Sequence, residues 1–96
     1  MQIKVYGGSC IGTIYYNGKA KVMVIDNVKV DSDKRRMGIG MVLMEKVLSI
    51  ALDNKIDSIE LLVNPDNYAA KGLYNKMGFQ KTDKEHHRMI LRKFNE

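Results

Sequence analysis

The sequence predicts an α/β (α+β) fold with a strand–helix–strand unit at its centre. Three observations carry this prediction. Valines alternate with other residues from Lys21 to Val30, as in a half-buried strand. From Ile39 to Leu52 the apolar spacing becomes helical, with Ile39, Leu43, Val47 and Ile50 on one face and Met44, Leu48 and Ala51 widening it. Ile59 to Val63 is then a short run rich in branched residues, which reads as a strand. Strand, helix and strand within about forty residues make a βαβ unit, so its strands are expected to be parallel with a right-handed crossover.

The flanking elements follow in order. Met1 to Tyr6 reads as a strand and Gly7-Gly8 as a turn. Ile11 to Tyr16 reads as a second strand, and Asn17-Gly18 is a two-residue hairpin signal leading into the third. Val22, Val24, Asp26, Val28 and Val30 are expected to share one face of that strand, which sets an acid in an apolar row. Asp26 is either an edge carboxylate near a bulge or a functional carboxylate beside a cleft. Asn54 is a helix stop. Asn64-Pro65-Asp66-Asn67 is a turn, with Asp66 or Asn67 able to cap a short helix from Tyr68 to Lys76 that ends at Gly78. Gly72 inside that helix costs roughly 1 kcal/mol relative to alanine, so tertiary packing must hold it. Phe79–Lys81 and Arg88–Phe94 read as a closing hairpin.

Composition bounds the function. The 96 residues suit one domain spanning 1–96, and a hydrophobic fraction of 45% supports a packed core. No apolar run approaches the ~20 residues that span a bilayer, and no secretion leader is visible, so no membrane role is expected. The single Cys10 has no internal disulfide partner, which points to a reducing cytoplasm and a small core residue. The net charge of +5 suits a nucleic acid, a small polyanion or a solvated surface. Aromatic residues do not interleave with the basic ones, which argues against a base-stacking platform. His86 and His87 are adjacent, would point to opposite faces of a strand, and make a poor chelate, so no metal is expected.

One loop carries chemistry. From the loop after the third strand into the start of the first helix run Arg35, Arg36, Met37, Gly38, Ile39, Gly40 and Met41. Backbone N–H groups at a helix N-terminus favour anions, glycines permit close approach, and the arginines add charge. The physics predicts a phosphate site.

Two motifs then coincide. Arg35-x-x-Gly38-x-Gly40 resembles the acetyl-CoA loop of the GNAT acetyltransferase superfamily. Asn67-x-x-Ala70-x-x-Leu73-Tyr74-x-x-x-Gly78-Phe79 is similar to that family's second cofactor motif, at the right separation. The resemblance covers roughly Lys21 to Phe94. It implies a mixed, twisted sheet with helices on its faces, whose strands splay near Val30 and Val63 to take the pantetheine arm of acetyl-CoA. It implies that amides from about Arg36 to Met41 hold the pyrophosphate, and that Val28 and Val30 supply backbone groups to the arm and thioester. Asn67 matches an asparagine that contacts the cofactor, and Tyr74 matches the usual general acid. Asp26 lies where the family often places an acid able to deprotonate the amine; Glu60 is the runner-up, its side-chain face open, and some members rely on water.

Family members usually begin with a strand and one or two helices that help form the acceptor site. This sequence resembles a short member lacking them. Three expectations follow: an open acceptor groove suited to a peptide or protein amine, a partner copy over the bare sheet edge as in a homodimer, or acetyl-CoA binding without efficient catalysis. The functions in competition are thus an acetyl-CoA-dependent N-acetyltransferase, a non-catalytic CoA-binding module and a small basic nucleic-acid binder.

Overall fold

In the computed structural model, which describes residues 1–35, 37–64, 66–83 and 88–92, six strands form one mixed sheet. The elements run β1 (Gln2–Val5), β2 (Gly8–Asn17), β3 (Ala20–Val30), α1 (Ile39–Asp53), β4 (Ser58–Leu62), α2 (Tyr68–Lys76), β5 (Gln80–Asp83) and β6 (Arg88–Arg92). Their order across the sheet is β1-β2-β3-β4-β6-β5. The pairs β1/β2, β2/β3, β4/β6 and β5/β6 are antiparallel, and β3/β4 is parallel. The expected βαβ unit and closing hairpin are therefore present.

Both tight turns sit one residue from where the sequence points. Val5 pairs with Gly8, so Tyr6 and Gly7 make the first turn and Gly8 already belongs to β2. Asn17 pairs with Ala20, so Gly18 and Lys19 make the second, with Gly18 at φ 64. Hairpin turns of this kind need positive φ, and each slides to place its glycine there.

A larger correction concerns β3. Its register passes from Asp26 opposite Ile11 to Lys29 opposite Ser9, so Asn27 and Val28 together oppose Cys10. This is a β-bulge, and Asn27 adopts φ 53 within it. The extra residue reverses the alternation. Val22, Val24 and Asp26 stay on one face, while Val28 turns to the other and packs against the core. The five residues do not share a face.

The core lies on one side of the sheet. Ile3, Cys10, Met23, Ile25, Ile59 and Leu61 point to it and meet Leu43, Met44, Val47 and Ala51 of α1. Each such aliphatic side chain contributes about 1.5–3 kcal/mol when fully buried. From α2, Tyr74 joins the same cluster, as does Phe79 just beyond it. α1 links β3 to β4 and α2 links β4 to β5, and residues of both helices pack into this one cluster. Among the described residues no helix covers the face of Tyr15, Val24, Asp26, Glu60 and Leu62.

Helix termini follow local chemistry. Asn54 ends α1, its Nδ2 donating to the Ile50 carbonyl at 2.7 Å. Asn67 caps α2, its Oδ1 accepting from the Ala70 amide at 3.1 Å. Gly78, at φ 97, closes α2.

Candidate functional site

Three features meet at one end of the sheet. The first is a gap between parallel strands. β3 and β4 pair only from Val22/Ser58 to Ile25/Leu61. Beyond Ile25, β3 continues to Val30 bonded to β2 alone, with Gly8 opposite Val30. Since β4 ends at Leu62, no strand among the described residues pairs with the β4-facing backbone of Asp26–Val30. Val28 and Val30 lie along this gap.

The second feature is the start of α1. A single 3-10 turn, Ser32–Lys34, leads to Arg35, which is extended and exposed. Gly38 then caps α1 in the left-handed region at φ 76, a conformation costly for residues with a Cβ. No side chain hydrogen-bonds this terminus and no acidic residue occupies its first turn. The first amides, those of Ile39, Gly40 and Met41, therefore face outward with the positive end of the helix dipole. Met37 is exposed; Arg36 lies outside the described residues, as do His86, His87 and Phe94. Such a terminus fits a phosphate group, because glycine, free amides and a neighbouring arginine are what an anion requires.

The start of α1 is held down by a close approach. A Cβ on Gly8 would stand 2.9 Å from Ile39 Cγ2 and 3.2 Å from the Lys29 carbonyl oxygen. Only a residue without a side chain lets Ile39 seat over the β2–β3 ladder there. Gly40 plays a related part, since its Cβ would lie 3.2 Å from Leu73 Cδ2 of α2.

The third feature is Tyr74. It retains 3% of its surface and packs edge-on against Phe79, centroids 6.0 Å apart at 60°. Its hydroxyl makes no hydrogen bond among the described residues. Burial pushes the phenol above its ordinary pKa, and Cys10 beside it adds to the shift. Val63, just past β4, belongs to the same cluster, and Val28 of β3 packs against it. The site thus holds a buried phenol whose donor meets no acceptor among the described residues.

The carboxylates stand across the sheet from Tyr74. Asp26 is exposed on the face without helices. Glu60 pairs with Val24, which places it on that same face, and Tyr15 directs its hydroxyl to Glu60 Oε1 at 3.5 Å. Asn67 spends its carbonyl oxygen on the helix cap, leaving its amide nitrogen as the group able to meet a ligand.

Cys10, expected as a small core residue, is buried and faces the bulge. A bulge does lie beside Asp26, and Asn27, which the sequence reading did not single out, forms it.

Residues 3–79 match the acetyltransferase (GNAT) family. No curated protein sequence matches the chain. Among solved structures the chain is similar to the NatC complex bound to Gag peptide and CoA, at 23% identity and a TM-score of 0.81, covering 90% of this chain and 60% of that one. It is similar to Ard1 from Thermoplasma volcanium at 29% identity and a TM-score of 0.74, with 88% and 62% covered. It is also similar to Arabidopsis thaliana Naa50 in complex with the bisubstrate analogue CoA-Ac-MVNAL, at 24% identity and a TM-score of 0.71, with 86% and 62% covered. The chain thus spans about three fifths of the length of each.

Proposed function

The chain belongs to the acetyltransferase (GNAT) family, and on that premise we propose that it transfers an acetyl group from acetyl-CoA to a primary amine of a small molecule, peptide or protein. The observation that supports this reading is the buried Tyr74 phenol, whose hydroxyl makes no hydrogen bond among the described residues and which shares a cluster with Val63, just past the end of β4. A peptide or protein amine is favoured, because the similar NatC complex is bound to a peptide and the similar Naa50 to a peptide-bearing analogue. The whole chain, 1–96, acts as one such domain.

The parts divide the work. The amides of Met37, Gly38, Ile39, Gly40 and Met41, with the Arg35 and Arg36 side chains, bind the pyrophosphate of acetyl-CoA. The Asn67 amide nitrogen donates to the cofactor. The pantetheine arm lies along the free edge of β3 and bonds to Val28 and Val30 as an added strand does. The amine attacks the thioester carbon, and the charge that grows on oxygen is met by a β3 N–H in a dry gap. Collapse expels the CoA thiolate, whose conjugate acid has a pKa of about 8.5, and Tyr74 protonates it.

The acceptor comes from the opposite face. A lysine-like amine with a pKa of about 10.4 is neutral only about once in a few thousand molecules at pH 7. Asp26, on the open face, takes the ammonium proton directly or through water; Glu60 shares that face and is the alternative. Cofactor on the helix side and amine on the bare side keep the two substrates apart until they meet in the gap.

Other attributes follow as parts of the same proposal. No described helix is long and apolar enough to cross a membrane, and a buried free thiol suits the reducing cytoplasm. β1 is an edge strand, a place for a second copy to pair in a homodimer. Calorimetry with CoA and acetyl-CoA, followed by free-thiol release over a panel of amines and peptides, tests the reading. Uptake weakened by Arg35→Ala, with thiol release on a peptide amine, is the expected result. No uptake at millimolar ligand by folded protein sinks the reading, and uptake without release on any amine leaves a CoA-binding module.

A further inference from the structure

Among the described residues β1 is the outermost strand at its end of the sheet. Its ladder with β2 decides which backbone groups it shows outward. Met1 and Gly12 exchange both hydrogen bonds, the Gly12 N–H donating to the Met1 carbonyl at 2.8 Å and the Met1 nitrogen to the Gly12 carbonyl at 2.6 Å. Alternation along an antiparallel pair then makes Ile3/Cys10 a bonded pair and leaves Gln2/Ile11 and Lys4/Ser9 unbonded. The N–H and carbonyl groups of Gln2 and Lys4 therefore point away from β2. One of them is already taken. Lys46, reaching over from α1, donates its ammonium to the Lys4 carbonyl at 2.6 Å.

These outward groups suit a second copy of the same strand. A two-fold axis at Ile3 sets Gln2 of one copy opposite Lys4 of the other, in a self-complementary antiparallel pair. In that register each Gln2 N–H donates to a Lys4 carbonyl, which is the acceptor that Lys46 holds. Each copy also brings the Lys46 charge to the seam. Charged side chains, lysine above all, are how sheets discourage pairing at an edge. We propose that Lys46 guards the β1 edge: a second copy pairs there when the ammonium leaves the Lys4 carbonyl, so Lys46 sets the balance between monomer and homodimer. The inference rests on β1 as the homodimer edge and not on acetyl transfer.

Sedimentation equilibrium of the full chain, without ligand, tests it. Lys46→Met removes the donor and the charge while keeping a long side chain. Its dimer dissociation constant is expected to fall about tenfold below the parent's, as two hydrogen bonds at the seam become available. Lys46→Arg keeps a charged donor and is expected to associate as the parent does. Adding Gln2→Pro to Lys46→Met removes the N–H that the pairing uses and leaves the bonds to β2 in place, so it is expected to undo the gain. Lys4→Pro serves the same end if that protein does not fold, since the Lys4 N–H also points outward. Equal association of the parent and Lys46→Met overturns the proposal, as does a gain that neither proline removes. A parent dimer that Gln2→Pro splits and Lys46→Met does not tighten keeps the edge and removes the guard. No association by any of these proteins removes both.

Discussion

Asp26 and Val28, two residues apart on β3, face opposite sides of the sheet. Asn27 between them makes the reversal, holding φ 53 where the β2–β3 register gains a residue. One residue thus sends a carboxylate to the open face and a valine to the core, and it bends β3 where the strand leaves β4. Asparagine tolerates the left-handed region better than residues with branched side chains do. Asn27→Gly is expected to keep the fold with stability within about 1 kcal/mol. Asn27→Val is expected to cost about 1–3 kcal/mol by backbone strain. Chemical denaturation of the two variants checks the ordering; a valine variant as stable as the glycine one would contradict it.

Tyr74→Phe separates stability from activity. The phenol's hydroxyl is buried and bonded to nothing among the described residues, so its removal breaks no hydrogen bond among them. The variant is expected to be as stable as the parent or more so, by up to about 1–3 kcal/mol, since an unsatisfied buried group disappears. Thiol release is expected to fall about 10²–10⁴-fold if Tyr74 is the general acid. Melting temperature and turnover, measured on one preparation, should therefore move in opposite senses.

Local elements were legible because their signals are local. The spacing from Ile39 through Ala51 marks a helix whatever surrounds it, and buried Ile39, Leu43, Met44, Val47 and Ala51 lie along the face so marked. Tyr68 to Lys76 carries its own cap at Asn67 and its own stop at Gly78. The sides of the sheet were less legible. Alternation assigns a face only while the register is unbroken, and the bulge at Asn27 comes from pairing with Cys10 on another strand. The surroundings of Tyr74 likewise draw on residues of other elements, Ile3 and Cys10 among them, as well as on nearby Phe79. Glu60 could be placed on a face only once its pairing with Val24 was known.

Alkaline pH should destabilise the fold. Burial raises the Cys10 thiol above its ordinary pKa, with the Asp26 charge adding to this. Burial raises the Tyr74 phenol too, with Cys10 adding. Both groups are neutral acids when protonated, so a raised folded pKa means that the unfolded chain loses its protons first. The contribution to stability is whole below the unfolded values, about 8.5 for a thiol and about 10 for a phenol, and is lost as pH rises through the folded ones. Denaturant midpoints taken from pH 7 upward should fall beginning near the thiol value. Cys10→Ala should delay the onset toward the phenol value, and an identical profile in that variant would count against the assignment.

The anion site rests on Gly8 as much as on the loop that lines it. Ile39 begins α1 and seats on Gly8, whose Cβ would stand 2.9 Å from Ile39 Cγ2 and 3.2 Å from the Lys29 carbonyl oxygen. The carbonyl belongs to a paired strand and has little room to move, so alanine must displace the first turn of α1. Gly8→Ala is expected to cost about 1–3 kcal/mol by overpacking and to weaken CoA binding as the amides of Ile39, Gly40 and Met41 shift. Gly38→Ala acts differently. Nothing lies within 4 Å of a Cβ there, yet φ is 76, so its cost is about 1–2 kcal/mol of backbone strain with no collision. Both variants should lose affinity for CoA. Mutating Ile39→Ala beside Gly8→Ala removes Cγ2, the atom that the new Cβ would meet, and should recover part of the affinity, whereas the same change beside Gly38→Ala should recover none. Calorimetric titration of the four proteins with CoA distinguishes a displaced helix from a strained cap.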